Sequence, residues 1–450
     1  MELSNQKKNL ISFLIFITAT GFFEKIQRTF YLPFYLGDIV SLILPVSIMV
    51  YIYLFIITDK QIKFNDIETY FFLLILFFLC IFYYNSSNLT YIHFSFINNY
   101  FWILNCYVIF RYFFLSSNIN KKSFYSTIYF SILFLFFYNL IINLINNYYY
   151  VNDFYRNLVR ADEITALTLE GYIISFFFYF FLIENYFKDE KRYYFYLLVL
   201  VNFFSLYIIE SRGLWIFNFF SFVFILFFIP NTKNLKLQKF IIILCFIITL
   251  FNFGLNKISS LINSSIVGLN KNYNINFYYN FNPQIFGKSD YQKNKFKKYE
   301  EVIDNLSENN DICKLQLKCT KEDILESAYS KEISYALSSQ TRYYTIIGVL
   351  KKFYQNPLSG IKIENAKNVL VNNDKIHSNL ILLIATTGIL GLIAITIFFY
   401  KLYITSSSKI VFIYSCIFIA YYSFFFDNIK PIIGLILLIS SNQNRLFKND

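Results

Sequence analysis

Residues 379–400 read NLILLIATTGILGLIAITIFFY, an uncharged run long enough to cross a bilayer as one helix. His377 and Ser378 stand directly before it and close a polar stretch of 123 residues, Asn256 to Ser378. An imidazole exchanges a proton near neutral pH. At a junction between a polar loop and an apolar span, His377 is a candidate general base acting on something held in the lipid.

Outward from this junction the chain alternates short charge clusters with apolar segments. They run over 9–23, 38–57, 69–84, 96–115, 124–145, 167–187, 193–209, 214–229, 240–255, 379–400, 409–426 and 429–441. With 56% hydrophobic residues and a mean hydropathy of +0.46, the composition excludes a string of soluble domains. Backbone in lipid must satisfy its own hydrogen bonds, and no alternation of the kind barrel strands require is visible. The expectation is an all-α polytopic membrane protein with about 12 transmembrane helices and one large, mostly helical loop. Residues 1–255 form an N-terminal bundle of spans, 256–378 the loop, and 379–450 the last spans with a short tail. The 58 Phe and 40 Tyr are spread too generally along the chain to mark a binding site.

Basic residues set the orientation. With the N-terminus inside, the cytoplasmic segments carry sixteen Lys or Arg, including Lys7, Lys8, Lys121, Lys122, Lys401 and Lys409. The five short outer loops carry six: Lys25, Arg28, Arg156, Arg160, Arg212 and Lys430. Both termini are therefore expected inside and the long loop outside. The first apolar run resembles a signal peptide but shows no small-x-small cleavage site, so an uncleaved first helix is expected. Cys80, Cys106, Cys245 and Cys416 lie in spans and read as small apolar residues. Cys313 and Cys319 lie in the exported loop, where a disulfide persists if formed; its role would be structural.

The loop holds seventeen Lys or Arg against twelve Asp or Glu, a balance suited to phosphate-bearing partners and equally to a solvated surface. Within it Tyr343, Ile346, Ile347, Leu350 and Tyr354 recur at helical spacing, so residues 340–355 are expected to form an amphipathic helix. Asn356-Pro357 stops it and Ser359-Gly360 turns the chain. Arg342 falls in its first turn, where free N–H groups and an arginine together make an anion site. An ordinary solvated arginine fits the same pattern. A second arginine, Arg212, sits in the tight outer turn Glu210-Ser211-Arg212-Gly213, where Gly213 permits a sharp bend; it lies close to the membrane surface, where snorkelling to headgroups is the alternative. Arg156 and Arg160 also face outward and are secondary candidates, whereas His93 reads as structural or interfacial.

These residues together resemble a known pattern. Ser211-Arg212-Gly213-Leu214-Trp215 is similar to the SRGxW signature of the bacterial O-antigen ligase family. Asn356-Pro357-Leu358-Ser359-Gly360 is similar to its NPLxG segment, and His377-Ser378-Asn379-Leu380 to its HN or HSN motif. Thr387-Gly388-Ile389-Leu390-Gly391-Leu392 resembles the GxxG stretch of the span that follows. The resemblance covers roughly residues 195–400 and keeps the family's order and topology.

It implies a glycosyltransferase of the bacterial inner membrane with its active site on the periplasmic face. Such enzymes take a glycan from undecaprenyl diphosphate and join it to a sugar hydroxyl of lipid A-core. Related polymerases add it instead to a growing glycan on the same carrier. Under the resemblance His377 is the base and Arg212 and Arg342 bind the diphosphate, with inversion at the anomeric carbon and no metal or other cofactor. Partners would be the lipid-linked glycan, the acceptor and membrane lipids, with no nucleic acid. A polymerase is the nearest alternative. A transporter of lipid-linked sugars is a more distant one, because Arg111 and Glu184, the clearest charges within spans, lie near span ends rather than at mid-membrane.

Overall fold

The computed structural model describes residues 5–21, 66–86, 89, 91–117, 120–149, 170–187, 192–209, 212–229, 233–252, 353–363, 378–425 and 431–446. Among the described residues there are eleven α-helices and no strand. They are α1 Asn5–Ala19, α2 Asp66–Ser86, α3 Tyr91–Ser117, α4 Lys121–Tyr149, α5 Glu170–Ile183 and α6 Arg192–Ile209. They continue with α7 Arg212–Phe228, α8 Lys233–Asn252, α9 Asn379–Thr405, α10 Lys409–Phe425 and α11 Ile432–Leu446. Every expected apolar segment falls on one of these helices except 38–57, which lies outside the described residues. The helices reach past their apolar runs into polar flanks, as α2 does to Asp66 and α8 to Lys233, because charged residues propagate a helix once an apolar segment has nucleated it.

Among the described residues two stretches, Ile67–Ser86 and Asn379–Thr405, are long and apolar enough to cross a membrane. Only 44% and 39% of their most apolar windows is buried. The core helix of a water-soluble protein would bury its apolar residues and expose polar ones. Here Phe72, Leu73, Leu76 and Phe77 of α2 and Leu392, Ile393 and Ile397 of α9 face outward.

The chain divides into two compact units, Met1–Thr249 with Leu390–Asp450, and Leu250–Ile389. In the first, α5 is the hub. Its residues from Tyr172 to Leu182 are buried on every face. Phe177 meets Phe16 of α1, Phe180 meets Tyr125 of α4, and Phe176 stacks on Tyr414 of α10 at 5.3 Å. Phe178 meets Phe195 of α6, and Tyr172 meets Phe217 of α7. The aromatic richness is thus spent on ring-to-ring packing, whose offset and edge-on geometries add about 0.5–1.5 kcal/mol per pair beyond burial. Helix α11 crosses α3 at Gly434, where an added Cβ would lie 2.8 Å from the Tyr107 amide nitrogen, so only a residue without a side chain permits the approach.

Several polar groups inside this unit meet one another. Ser175 of α5 donates to Asn202 Oδ1 of α6 at 2.7 Å, and Asn202 Nδ2 donates to Asn218 Oδ1 of α7 at 2.9 Å. Asn218 Nδ2 closes the triangle on Ser175 Oγ at 2.9 Å. Arg111, one of the charges singled out above, pairs with fully buried Glu68 at 2.6 Å. The other, Glu184, meets Lys121 at 2.9 Å and accepts the Tyr125 hydroxyl at 3.0 Å.

Candidate functional site

Two places carry the geometry of interest, one in each unit. In the second unit it begins at Ser378. Its carbonyl accepts the Leu382 amide and its hydroxyl caps the first turn of α9 through the Ile381 amide at 3.3 Å. Ser378 and Asn379 are both buried. Serine at this position is what a helix start asks for, since its oxygen replaces a missing backbone acceptor. His377 is the next residue back along the chain, and it lies outside the described residues.

Further along, α9 breaks. Gly388 adopts φ 68° and ψ −162°, a region open essentially to glycine alone. The local cause is visible just upstream. The hydroxyls of Thr386 and Thr387 fold back onto the Leu382 and Leu383 carbonyls at 2.7 and 2.6 Å, and such back-bonding bends helices.

The break frees backbone groups, and the loop segment 356–361 takes them up. The Ile361 amide donates to the Ala385 carbonyl at 2.8 Å, and the Ile389 amide donates to the Pro357 carbonyl at 2.9 Å. Gly360, at φ 81°, turns this segment, and its own amide donates to Asn356. The two glycines face each other without side chains. A Cβ on Gly360 would lie 2.5 Å from the Ala385 oxygen, and one on Gly388 would lie 2.6 Å from the Gly360 nitrogen. The segments 356–361 and 385–389, drawn from motifs read separately in the sequence, therefore form one backbone clasp.

In the first unit the place is the start of α7. Sequence reasoning put Arg212 and Gly213 in a sharp turn that uses glycine's freedom. Instead α7 begins at Arg212 and only residues 210 and 211 separate it from α6, so both residues are helical. Gly213 contributes a backbone acceptor rather than a positive φ. Its carbonyl accepts the Tyr421 hydroxyl of α10 at 2.8 Å, and the Tyr421 ring packs on Tyr172 and Phe217. Arg212 is the first residue of a helix, whose N-terminus carries a partial positive charge that favours an anion. Tyr421 was missed from sequence because one tyrosine among 40 carries no signal.

Arg342, Arg156, Arg160, Cys313 and Cys319 lie outside the described residues. So does most of the long loop. Of the expected helix 340–355 only residues 353–355 are described, and the chain is already turning there, with the Asn356 amide on the Phe353 carbonyl at 3.0 Å. Among the described residues no three His, Cys, Asp or Glu come together in a metal-binding arrangement. Comparison with protein-family models, curated proteins and solved structures finds no match to this chain.

Proposed function

We propose that this chain is a polytopic glycosyltransferase of the bacterial inner membrane. On this reading it transfers a glycan from undecaprenyl diphosphate to a sugar hydroxyl of lipid A-core, with its active site on the periplasmic face. The observation that carries the reading is the ordered series Ser211-Arg212-Gly213-Leu214-Trp215, Asn356 to Gly360, His377 to Leu380 and Thr387 to Leu392 on either side of one long polar loop. The apolar outward faces of α2 and α9 support the membrane assignment, and the helix start at Arg212 supports an anionic donor.

The chemistry is a single displacement. His377 takes the proton from the acceptor hydroxyl, and that oxygen attacks the anomeric carbon. The bond from this carbon to the diphosphate oxygen breaks, inverting the configuration. Undecaprenyl diphosphate leaves with the electron pair. Its developing charge meets Arg212 and Arg342, whose planar guanidinium groups bind phosphate oxygens in pairs. General-base catalysis of this kind contributes about 10²–10⁴-fold.

The test is transfer in vitro from undecaprenyl-diphosphate glycan to purified lipid A-core, with and without chelator. His377→Ala should lose about 10²-fold or more in rate while inserting into membranes normally. Full activity in that variant overturns the assignment of the base. Transfer to a growing lipid-linked glycan, with none to lipid A-core, makes the protein a polymerase.

A further inference from the structure

The clasp at Gly388 has a consequence for where the loop segment lies. If α9 spans the bilayer, the part below the break, residues 389–405, covers only about 25 Å at ~1.5 Å per residue. Counted to Tyr400, the last residue of the uncharged run, it covers about 18 Å. The stretch apolar enough to cross is Asn379–Thr405 as a whole, and Gly388 lies inside it, so the upper half enters the bilayer too. Gly388 then sits roughly 5 to 12 Å beneath the hydrocarbon boundary.

Unpaired backbone groups at such depth cannot turn to water, and irregular backbone survives there only when protein satisfies it. The groups freed at Ala385 and Ile389 are satisfied by Ile361 and Pro357. The partner segment must therefore reach the same depth. Its side chains agree. Ser359, Gly360 and Ile361 are buried against the break, while Leu358 points away and is 63% exposed. An outward leucine at the tip of a polar loop is costly in water and favourable in hydrocarbon. The exposed polar residues Asn356, Gln355 and Lys362 lie two, three and four residues from Leu358.

We propose that residues 356–361 form a re-entrant segment that dips into the outer leaflet beside α9, with Leu358 in contact with lipid acyl chains. The inference rests on the membrane reading of α9 and not on the transfer reaction.

The experiment places nitroxide labels at Leu358→Cys, Ile397→Cys and Ser289→Cys, each in a chain whose native cysteines are replaced by serine. The full-length protein is reconstituted in phosphatidylethanolamine–phosphatidylglycerol bilayers. Collision with oxygen reports hydrocarbon, and collision with a water-soluble nickel chelate reports water. The expected result is an oxygen-to-nickel ratio at position 358 close to that at 397 on the outward face of α9, and several-fold above that at 289 in the polar loop. Lipid at 397 with water at 358, or with neither reagent reaching 358, overturns the re-entrant segment alone. Water at 397 overturns the span and the re-entrant segment with it. Leu358 is exposed, so a label there leaves packing intact.

Discussion

The clasp between residues 356–361 and the break in α9 and the triangle of Ser175, Asn202 and Asn218 solve the same problem by opposite means. Each satisfies polar groups among apolar helices. The clasp does so with backbone atoms alone, and its fit depends on two residues having no side chain. The triangle does so with side chains projecting from three intact helices. A backbone solution is bound to one chain geometry and fails when an atom is added. A side-chain solution fails when one partner is removed, and it can be replaced whole by an apolar one.

The largest expected effect is at the clasp. Gly388→Ala adds an atom that overlaps the Leu358 carbonyl and the Gly360 amide in a conformation alanine avoids, and should cost roughly 4 kcal/mol. The midpoint of denaturant unfolding in detergent measures it. A loss under 1 kcal/mol would mean that the segments separate freely, and the contrast with the triangle would collapse.

Next comes the ion pair. Arg111→Met leaves the fully buried Glu68 without this partner, an expected loss of about 3 kcal/mol. Lys121 is 39% exposed beside Glu184, so Lys121→Met should cost less than about 1 kcal/mol. Equal losses in the two unfolding curves would contradict the role assigned to burial.

The triangle should respond less than the clasp and with a reversal. Asn218→Leu leaves Asn202 Nδ2 without this acceptor and Ser175 Oγ without this donor, and should cost about 1–2 kcal/mol. Combining Ser175→Ala, Asn202→Leu and Asn218→Leu should restore most of that loss, because no polar group is left unmatched. Additive losses in the triple variant would show that the helices depend on polarity rather than on matching.

The smallest effect is expected for Tyr421→Phe, which removes one hydrogen bond to Gly213 and should cost about 0.5–1 kcal/mol while the ring packing stays. If the bond also sets the start of α7, the donor KM should rise with kcat nearly unchanged. An unaltered donor KM removes Tyr421 from that role.

The helical class was legible before any coordinates. Runs such as 69–84, 193–209 and 379–400 are long, apolar and without strand alternation, and each is a helix. Helix ends were less legible, because charged flanks such as Asp66 and Lys233 read as loop yet continue the helix. The turn chemistry of Ser359-Gly360 was readable, since Gly360 does take the positive φ that a turn there requires. Gly213 was read by the same logic and turned out helical, because glycine tolerates both states and the neighbouring helices choose between them. The triangle left a faint trace in single polar residues within apolar spans, with nothing to say which would meet.

The sequence alone determined that the chain is built of apolar helices around one long polar loop, and which short motifs stand at their junctions. Hydrophobic periodicity and run length are local properties and survive in one dimension. Tertiary structure alone decided that residues 356–361 close on the break at Gly388 and that Tyr421 bonds to the Gly213 carbonyl at the start of α7. Those contacts join residues far apart in the chain through single backbone atoms, and a backbone carbonyl or amide is the same at every position of a sequence.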